Sequence, residues 1–531
     1  MAPLFNILSF LFAHEITIQA VLAVPTAQNF SQSSCHHGSF SFPTIPGAEL
    51  INISASSVLN YTQTSLLPGI EAIKPYTIDF CNITITYKHT SHNESINVSI
   101  WAPTPDDWNG RMLGLGGGGY AATFDYLFQT AAVGKGFVAI GTDSGHSSGM
   151  TSALDTSWAL DADGNSNTHL IEDWGFRTLG EMSVIGKHIV EKYYNRLPDY
   201  AYFTGCSGGG RQGLALAQRY PNAFDGILAA APAINLETFI PAAYWPTQVM
   251  RELKVYPAPC EIEAFTAAAI QQCDKLDGVE DGIISMPESC HFEASRLVGM
   301  EFSCDGEQRR FTKEAAMVVE AAWNGVHGQG VEWYGLNKDA DLTQSAITTS
   351  CNTSNQDCRY DNHNRDLFDP WFRSFAAKDP KFDVGNMNTS TFFSLLSTSM
   401  IGFRNSVGAD DPDLRAFQAA GGKMISWHGM ADTIIPPAGT TAYYQRVLQA
   451  TNSTIDFYRH FEAPGVGHCV SGAAGLPETA LGQLMAWVER GKEPEVLLAS
   501  KNGSNISLCP WPKRRAYPGP NPKVVGSFIC A

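Results

Sequence analysis

The stretch Ala201-Tyr202-Phe203-Thr204-Gly205-Cys206-Ser207-Gly208-Gly209-Gly210 is an apolar strand pattern that runs into a glycine-rich turn. Residues from about Arg211 to Tyr220 then read as a helix. Inside it lies a G-x-S-x-G motif in the strand-to-helix setting that makes the motif meaningful. A turn that sharp needs residues without Cβ at Gly205 and Gly209, so that Ser207 can take a strained backbone and project its hydroxyl. Ser207 then sits at a helix N-terminus, where partial positive charge favours a developing anion. The bland alternative is a flexible glycine-rich turn.

Working outward, Phe137 to Thr142 reads as a buried strand, Leu170 to Tyr194 as a long helix, and Gly226 to Ala230 as another strand. This β-α-β-α-β order predicts a mostly parallel sheet with helices on both faces. Between about residues 235 and 413 the alternation fades into cysteines, Asp-Gly turns and aromatic residues, which reads as an inserted domain. The rhythm resumes with strands at Lys423–Trp427 and Ile455–Phe461, and helices near Thr440–Ala450 and Thr479–Gly491. The expected organisation is a signal peptide over 1–23, a catalytic domain in two parts over 24–234 and 414–531, and the insertion over 235–413.

Two further motifs complete a nucleophile's requirements. Serine alone is a poor nucleophile and needs a base, which in turn needs an acid to fix its tautomer. Asp432 follows the late strand in Trp427-His428-Gly429-Met430-Ala431-Asp432, the place of the acid in the order Ser…Asp…His. Its plain reading is an Asp opening a turn; His428 precedes the acid and is read as structural. His468, in Pro464-Gly465-Val466-Gly467-His468-Cys469, is the candidate base. Cys206 immediately precedes Ser207 and Cys469 immediately follows His468. A disulfide between those two would require Cα atoms within about 7 Å, bringing serine and imidazole together.

At these residues the chain resembles the tannase and feruloyl esterase family, whose members carry Cys-Ser…Asp…His-Cys with a disulfide tying nucleophile to base. The likeness extends through Gly422–His428, Phe457–Phe461, the late Trp487-Val488-Glu489 and the closing Cys509 and Cys530. It implies an α/β-hydrolase fold with a large inserted lid domain, and a serine esterase acting on phenolic acid esters. Feruloyl esters are favoured over galloyl esters. A catalytically silent binding protein of the same fold, or a serine peptidase, are the rivals.

The insertion holds Cys273-Asp274-Lys275-Leu276-Asp277-Gly278-Val279-Glu280-Asp281-Gly282-Ile283. Carboxylates at i, i+3 and i+7 with two glycines can wrap a hard cation, though two successive Asp-Gly turns read as well. The family resemblance implies a structural Ca²⁺ held by Asp274, Asp277 and Asp281 and the backbone oxygens of Val279 and Ile283. For the oxyanion, the N–H of Gly208 is the first expected donor. The second is expected from the Gly116–Gly119 loop, with Gly117 named and its neighbours left open.

Composition closes off other classes. In 531 residues, 35 Lys and Arg stand against 52 Asp and Glu, a net charge of −17 that repels nucleic-acid backbones and anionic membranes. The apolar run Leu4–Phe12 followed by small residues to Ala23 resembles a secretion signal. Eleven Asn-x-Ser/Thr sequons, from Asn29 to Asn505, and 12 cysteines at irregular spacing suit an oxidising, extracellular compartment. Spacing favours Cys35 with Cys81, Cys260 with Cys273, Cys290 with Cys304, Cys351 with Cys358 and Cys509 with Cys530. The lid aromatics Trp323, Trp333, Tyr334 and Trp371 are candidates for stacking on a phenolic ring.

Overall fold

The structure, a computed structural model, describes residues 34–67, 73–124, 126–146, 149, 152–352, 357–361, 365–470, 472–501, 504–516 and 529–531. The expected signal segment 1–23 and the sequons at Asn29 and Asn502 lie outside the described residues.

Nine strands form one sheet: β1 (Ala48–Ser65), β2 (Lys74–His89), β3 (Ile96–Pro103), β4 (Arg111–Leu115), β5 (Val138–Thr142), β6 (Tyr200–Cys206), β7 (Gly226–Ala230), β8 (Lys423–Gly429) and β9 (Tyr458–Ala463). Their order is β1-β2-β3-β5-β4-β6-β7-β8-β9. The pairs from β5 through β9 are parallel, while β1, β2 and β3 add an antiparallel flank onto β5. That flank alternates along β2: Ile83, Ile85 and Tyr87 are buried, while Asn82, Thr84 and Thr86 between them are partly exposed. Such one-sided strands suit an antiparallel edge that keeps water on one face.

Helices, beginning with α1 (Tyr126–Val133), cover both faces, because successive strand residues point to opposite sides. On one face Ile140, Phe203 and Met424 join residues of α2 (Thr178–Tyr194) and α3 (Gly208–Arg219), such as Ile185 and Leu214. On the other, Leu113, Trp427 and Phe461 pack with Leu484 and Trp487 of the helix at Ala480–Arg490. The long helical pattern from Leu170 is a single turn at Thr168–Glu172, a π-helical turn at Asp173–Arg177, and then α2. The widened turn leaves carbonyls that a buried side chain can reach: Arg211 Nη1 donates to Gly175 O (2.9 Å) and Nη2 to Trp174 O (3.3 Å). Strand β9 starts at Tyr458 rather than Ile455, since Thr454–Asp456 closes a 3₁₀ turn first.

Between β7 and β8 the chain leaves the sheet. It forms α4 (Leu236–Ala243), α5 (Trp245–Leu253), α6 (Pro259–Cys273), α7 (Lys313–Asn324), α8 (Arg365–Trp371) and α9 (Thr389–Val407), with only two-stranded hairpins between them. This inserted region has its own core around Ile262, Phe265, Val319 and Ile347. A further cluster, including Trp371, Phe375 and Val407, meets Tyr120, Trp174 and Ile435 of the sheet domain.

All 12 cysteines are paired. Cys35–Cys81, Cys351–Cys358 and Cys509–Cys530 form as spacing suggests. Two pairings differ: the bonds are Cys260–Cys304 and Cys273–Cys290, not Cys260–Cys273 and Cys290–Cys304. Cys260 and Cys273 stand near the two ends of the one helix α6, where a rise of 1.5 Å per residue holds them about 20 Å apart. No disulfide spans that distance.

Candidate active site

Strand β6 ends at Cys206 and α3 begins at Gly208, leaving Ser207 on the corner with φ 63° and ψ −121°. That backbone is costly for a residue with a Cβ and holds only because its surroundings fix it. Ser207 N donates to Ala230 O (3.1 Å), while its carbonyl accepts from Arg211 N (3.1 Å) and Ala233 N (3.0 Å). The flanking glycines are demanded by crowding: a Cβ on Gly205 would lie 2.5 Å from the Gly209 carbonyl carbon, and one on Gly209 2.8 Å from Gly117 O. Ser207 itself is half-buried and its neighbours on α3 are buried.

The candidate acid is enclosed. Asp432 Oδ1 accepts from the N–H groups of Ile434 (2.8 Å) and Ile435 (2.9 Å). Its Oδ2 faces His468 Nδ1 at 2.8 Å and His428 Nε2 at 3.2 Å. Burial alone would raise this carboxyl, but the His468 and His428 imidazoles hold it well below the usual carboxylate range. Asp432 is therefore an anion, and the His468 tautomer that suits it is the one whose Nδ1–H donates to it.

Cys206 and Cys469 are joined across a sequence separation of 263, with Cα atoms 5.9 Å apart. The bridge connects the residue before Ser207 to the residue after His468, so elbow and base loop are one covalent unit. Cys469 takes φ 60°, and a Cβ on Gly429 would meet Val466 O at 2.3 Å, so the base loop lies directly on the end of β8.

His428, read from sequence as structural, touches the acid. Its Nδ1 pairs with Thr440 Oγ1 (2.8 Å), so Thr440 fixes which nitrogen faces Asp432. The only sequence signal was its spacing of four residues from Asp432 in one segment.

The Gly-rich loop docks on the elbow: Gly116 N donates to Thr204 O (3.0 Å) and Gly209 N to Gly117 O (3.0 Å). Gly117 does not serve as the second oxyanion donor, because its N–H is committed to Gln212 Oε1 (3.0 Å). Gly118 N–H donates to Ala121 O (3.2 Å). Gly119, at φ +57°, is the loop residue beside Gly208: a Cβ on Gly208 would lie 3.1 Å from Gly119 O.

In the inserted region Asp274 Oδ1 and Oδ2 accept from the N–H groups of Asp281 (3.1 Å) and Gly282 (3.0 Å), and Asp277 Oδ1 from Val279 N (2.9 Å). Gly278 (φ +89°) and Gly282 (φ +80°) turn the chain so that the three Asp residues share one loop. Burial, then the charges of Asp277 and Asp274, raise the Asp281 carboxyl, a surplus of negative charge that a cation would relieve. Their carboxylates are not drawn into one tight knot; among the described residues only His89, Glu94, His169 and Asp173 gather that closely.

Of the lid aromatics, Trp323 and Trp371 are core residues and not available for stacking; Trp371 lies flat on Phe375 (4.0 Å) and donates to Ser399 Oγ (2.8 Å). Trp333 and Tyr334 line a cleft of about 710 Å³ whose walls do not include Ser207, Asp432 or His468.

The sequence profile described as tannase and feruloyl esterase matches residues 81–531. A probable feruloyl esterase of Arthroderma benhamiae is 37% identical over 504 residues, covering 92% of each chain. Feruloyl esterase B of Aspergillus niger is 28% identical, covering 89% of this chain and 91% of the relative. Among solved structures, a tannin acyl hydrolase from Aspergillus niger superposes with a TM-score of 0.80 at 25% identity over 94% of each chain. With the match running from the antiparallel flank to the last residue, the chain belongs to the tannase and feruloyl esterase family.

Proposed function

We propose that this protein is a secreted serine esterase that releases ferulic or related hydroxycinnamic acids from plant cell-wall esters through an acyl-enzyme. The observation that carries the reading is the Cys206–Cys469 bridge beside an Asp432–His468 pair at 2.8 Å. Ser207 Oγ attacks the ester carbonyl and its proton passes to His468 Nε2. Asp432 accepts from Nδ1–H throughout and stabilises the imidazolium without taking its proton. The carbonyl oxygen, now an anion, faces the N–H of Gly208 and, as second donor, the N–H of Gly119, since those of Gly117 and Gly118 are already engaged. Collapse expels the alcohol, which leaves with the proton held on His468; water then repeats the cycle and frees the acid.

The substrate class rests on the relatives' names, with the 37% identical one a probable feruloyl esterase. Six disulfides, and the lack among the described residues of any helix long and apolar enough to cross a membrane, support an extracellular site of action. Asp274, Asp277 and Asp281, with the carbonyls of Val279 and Ile283, would hold a Ca²⁺ ion whose part is structural, neutralising the loop. The test compares hydrolysis of methyl ferulate, methyl gallate and a peptide by the wild type and Ser207→Ala. Ferulate turnover abolished in the variant is expected; a fully active Ser207→Ala protein would falsify the serine mechanism, and faster gallate turnover the substrate class.

A further inference from the structure

A second buried group of histidines and carboxylates lies away from the proposed triad, where β2 turns into β3. His89 is the last residue of β2, and Glu94 stands in the connection to β3. His169 lies on the Thr168–Glu172 turn, and Asp173 begins the π-helical turn. Glu94 Oε1 is 2.9 Å from His89 Nδ1 and 3.2 Å from His169 Nε2. Asp173 Oδ2 is 3.3 Å from His169 Nε2 and 3.8 Å from His89 Nδ1. All four atoms lie within 4.8 Å of one another. Ligands about 2.0–2.1 Å from a tetrahedral ion sit about 3.3–3.4 Å apart, and these four separations bracket that value.

Charge points the same way. The side chains of Glu94, Asp173 and Glu181 are 4%, 0% and 12% exposed, and the one guanidinium among them, Arg177, is shared with Glu172. Three enclosed carboxyl groups share one guanidinium, so their full ionisation calls for two further positive charges, which a divalent ion supplies; two imidazolium protons are the competing supply. Asp173 Oδ2 is buried and has no hydrogen-bond partner, although it points into the group. The outer contacts are those of a metal-bound histidine: His89 Nε2 meets Glu181 Oε1 at 2.9 Å, and Tyr87 Oη donates to Glu181 Oε2 at 2.5 Å. Two imidazole nitrogens select a zinc-like ion over calcium or magnesium, which take oxygen.

We propose that His89 Nδ1, Glu94, His169 Nε2 and Asp173 form a structural site for a divalent transition-metal ion of the zinc class. Binding through Nε2 places the remaining His169 proton on Nδ1, so Arg177, now 3.0 Å from that nitrogen, shifts fully onto Asp173 and Glu172. The ion then braces the antiparallel flank against the π-helical turn. The carbonyls of Trp174 and Gly175, next along that turn, anchor Arg211, whose own N–H holds the carbonyl of Ser207. His169 keeps 16% of its side chain exposed, which gives an ion a way in.

The test uses the full chain, stripped with a chelator and held in excess Ca²⁺ to fill oxygen-only sites. Zn²⁺ is titrated calorimetrically and Co²⁺ followed by its visible absorption. One ion per chain, an intense tetrahedral Co²⁺ band and a Zn²⁺-dependent rise in Tm are expected, all lost in His169→Gln and Asp173→Asn. Glu181→Gln keeps every ligand and should weaken binding about 10–100-fold, so the reading stays testable if a ligand variant fails to fold. A folded wild type that binds no Zn²⁺ overturns the proposal and leaves the imidazolium pair. Binding unchanged in the variants, or a weak octahedral Co²⁺ spectrum, overturns it equally.

Discussion

Two buried groups in this molecule use the same residue types to opposite ends. Around Asp432 a single carboxylate receives two backbone N–H groups and two imidazoles, so every lone pair is met. Around Asp173 three carboxylates share two imidazoles and one guanidinium, and one oxygen is left without a hydrogen bond. The first group has each carboxylate lone pair matched by a donor, as the proposed relay requires. The second has charge to spare and fits a cation. Residue type alone does not separate a proton relay from a metal site; the ratio of buried charges does.

The largest expected effect breaks the first group and spares the second. Asp432→Asn keeps the shape but removes the anion that fixes the imidazole tautomer, and kcat should fall about 10⁴-fold. Zn²⁺ binding, measured on the same preparation, should not change. If the two move together, the groups are not separate.

Next is the covalent link that only the first group has. Replacing Cys206 and Cys469 together by Ser should lower unfolding stability by about 2–4 kcal/mol in denaturant titrations. Loss of registration between elbow and base loop should lower kcat by about 100-fold. A variant with wild-type kcat would mean that packing alone holds Ser207 and His468 in place.

A finer cut removes one of the four bonds to Asp432. His428→Phe leaves the carboxylate less satisfied, at a cost of about 1.5–3 kcal/mol for a lost bond to a charged group. With the carboxylate held by one contact fewer, His468 is less firmly oriented and kcat should fall, by less than in Asp432→Asn. His428→Gln, which can still donate, should restore most of it; an unchanged kcat in the Phe variant would make His428 a packing residue only.

The smallest effect concerns His460, next to the first group. Burial, and then the neighbouring His428 imidazole, push this ring down to about 3; its Nδ1 lies 2.9 Å from Ser426 Oγ. The folded state therefore favours the neutral ring. Its contribution is fully present above the unfolded value of about 6.5 and is lost as pH falls toward about 3. His460→Asn should flatten the fall of Tm over that range, and an unaltered slope would exclude this residue as a source of acid lability.

Legibility followed locality. The elbow, the strands and helices around it, and the candidate acid and base were readable because each is a short segment whose pattern states its own geometry. The antiparallel flank β1 to β3 was not read, since its half-exposed strands carry Ser, Thr and Asn where a buried strand carries aliphatics. Proximity in sequence favours Cys260 with Cys273, whereas the rigid length of α6 separates them and Cys260 bonds Cys304. A run of four glycines does not say which N–H is engaged, and only the reach of Gln212 from α3 occupies that of Gly117.

By itself the chain order determined an α/β sheet, a serine on a strained corner, and a candidate acid and base in the order Ser…Asp…His, because strand and helix periods and glycine conformations are local properties. Only the folded structure decided that His428 shares the acid, which loop N–H groups are already engaged, and that His89, Glu94, His169 and Asp173 converge. Several of those contacts join distant segments, such as Gly117 with Gln212 and Glu94 with His169, and it is packing in three dimensions that selects them.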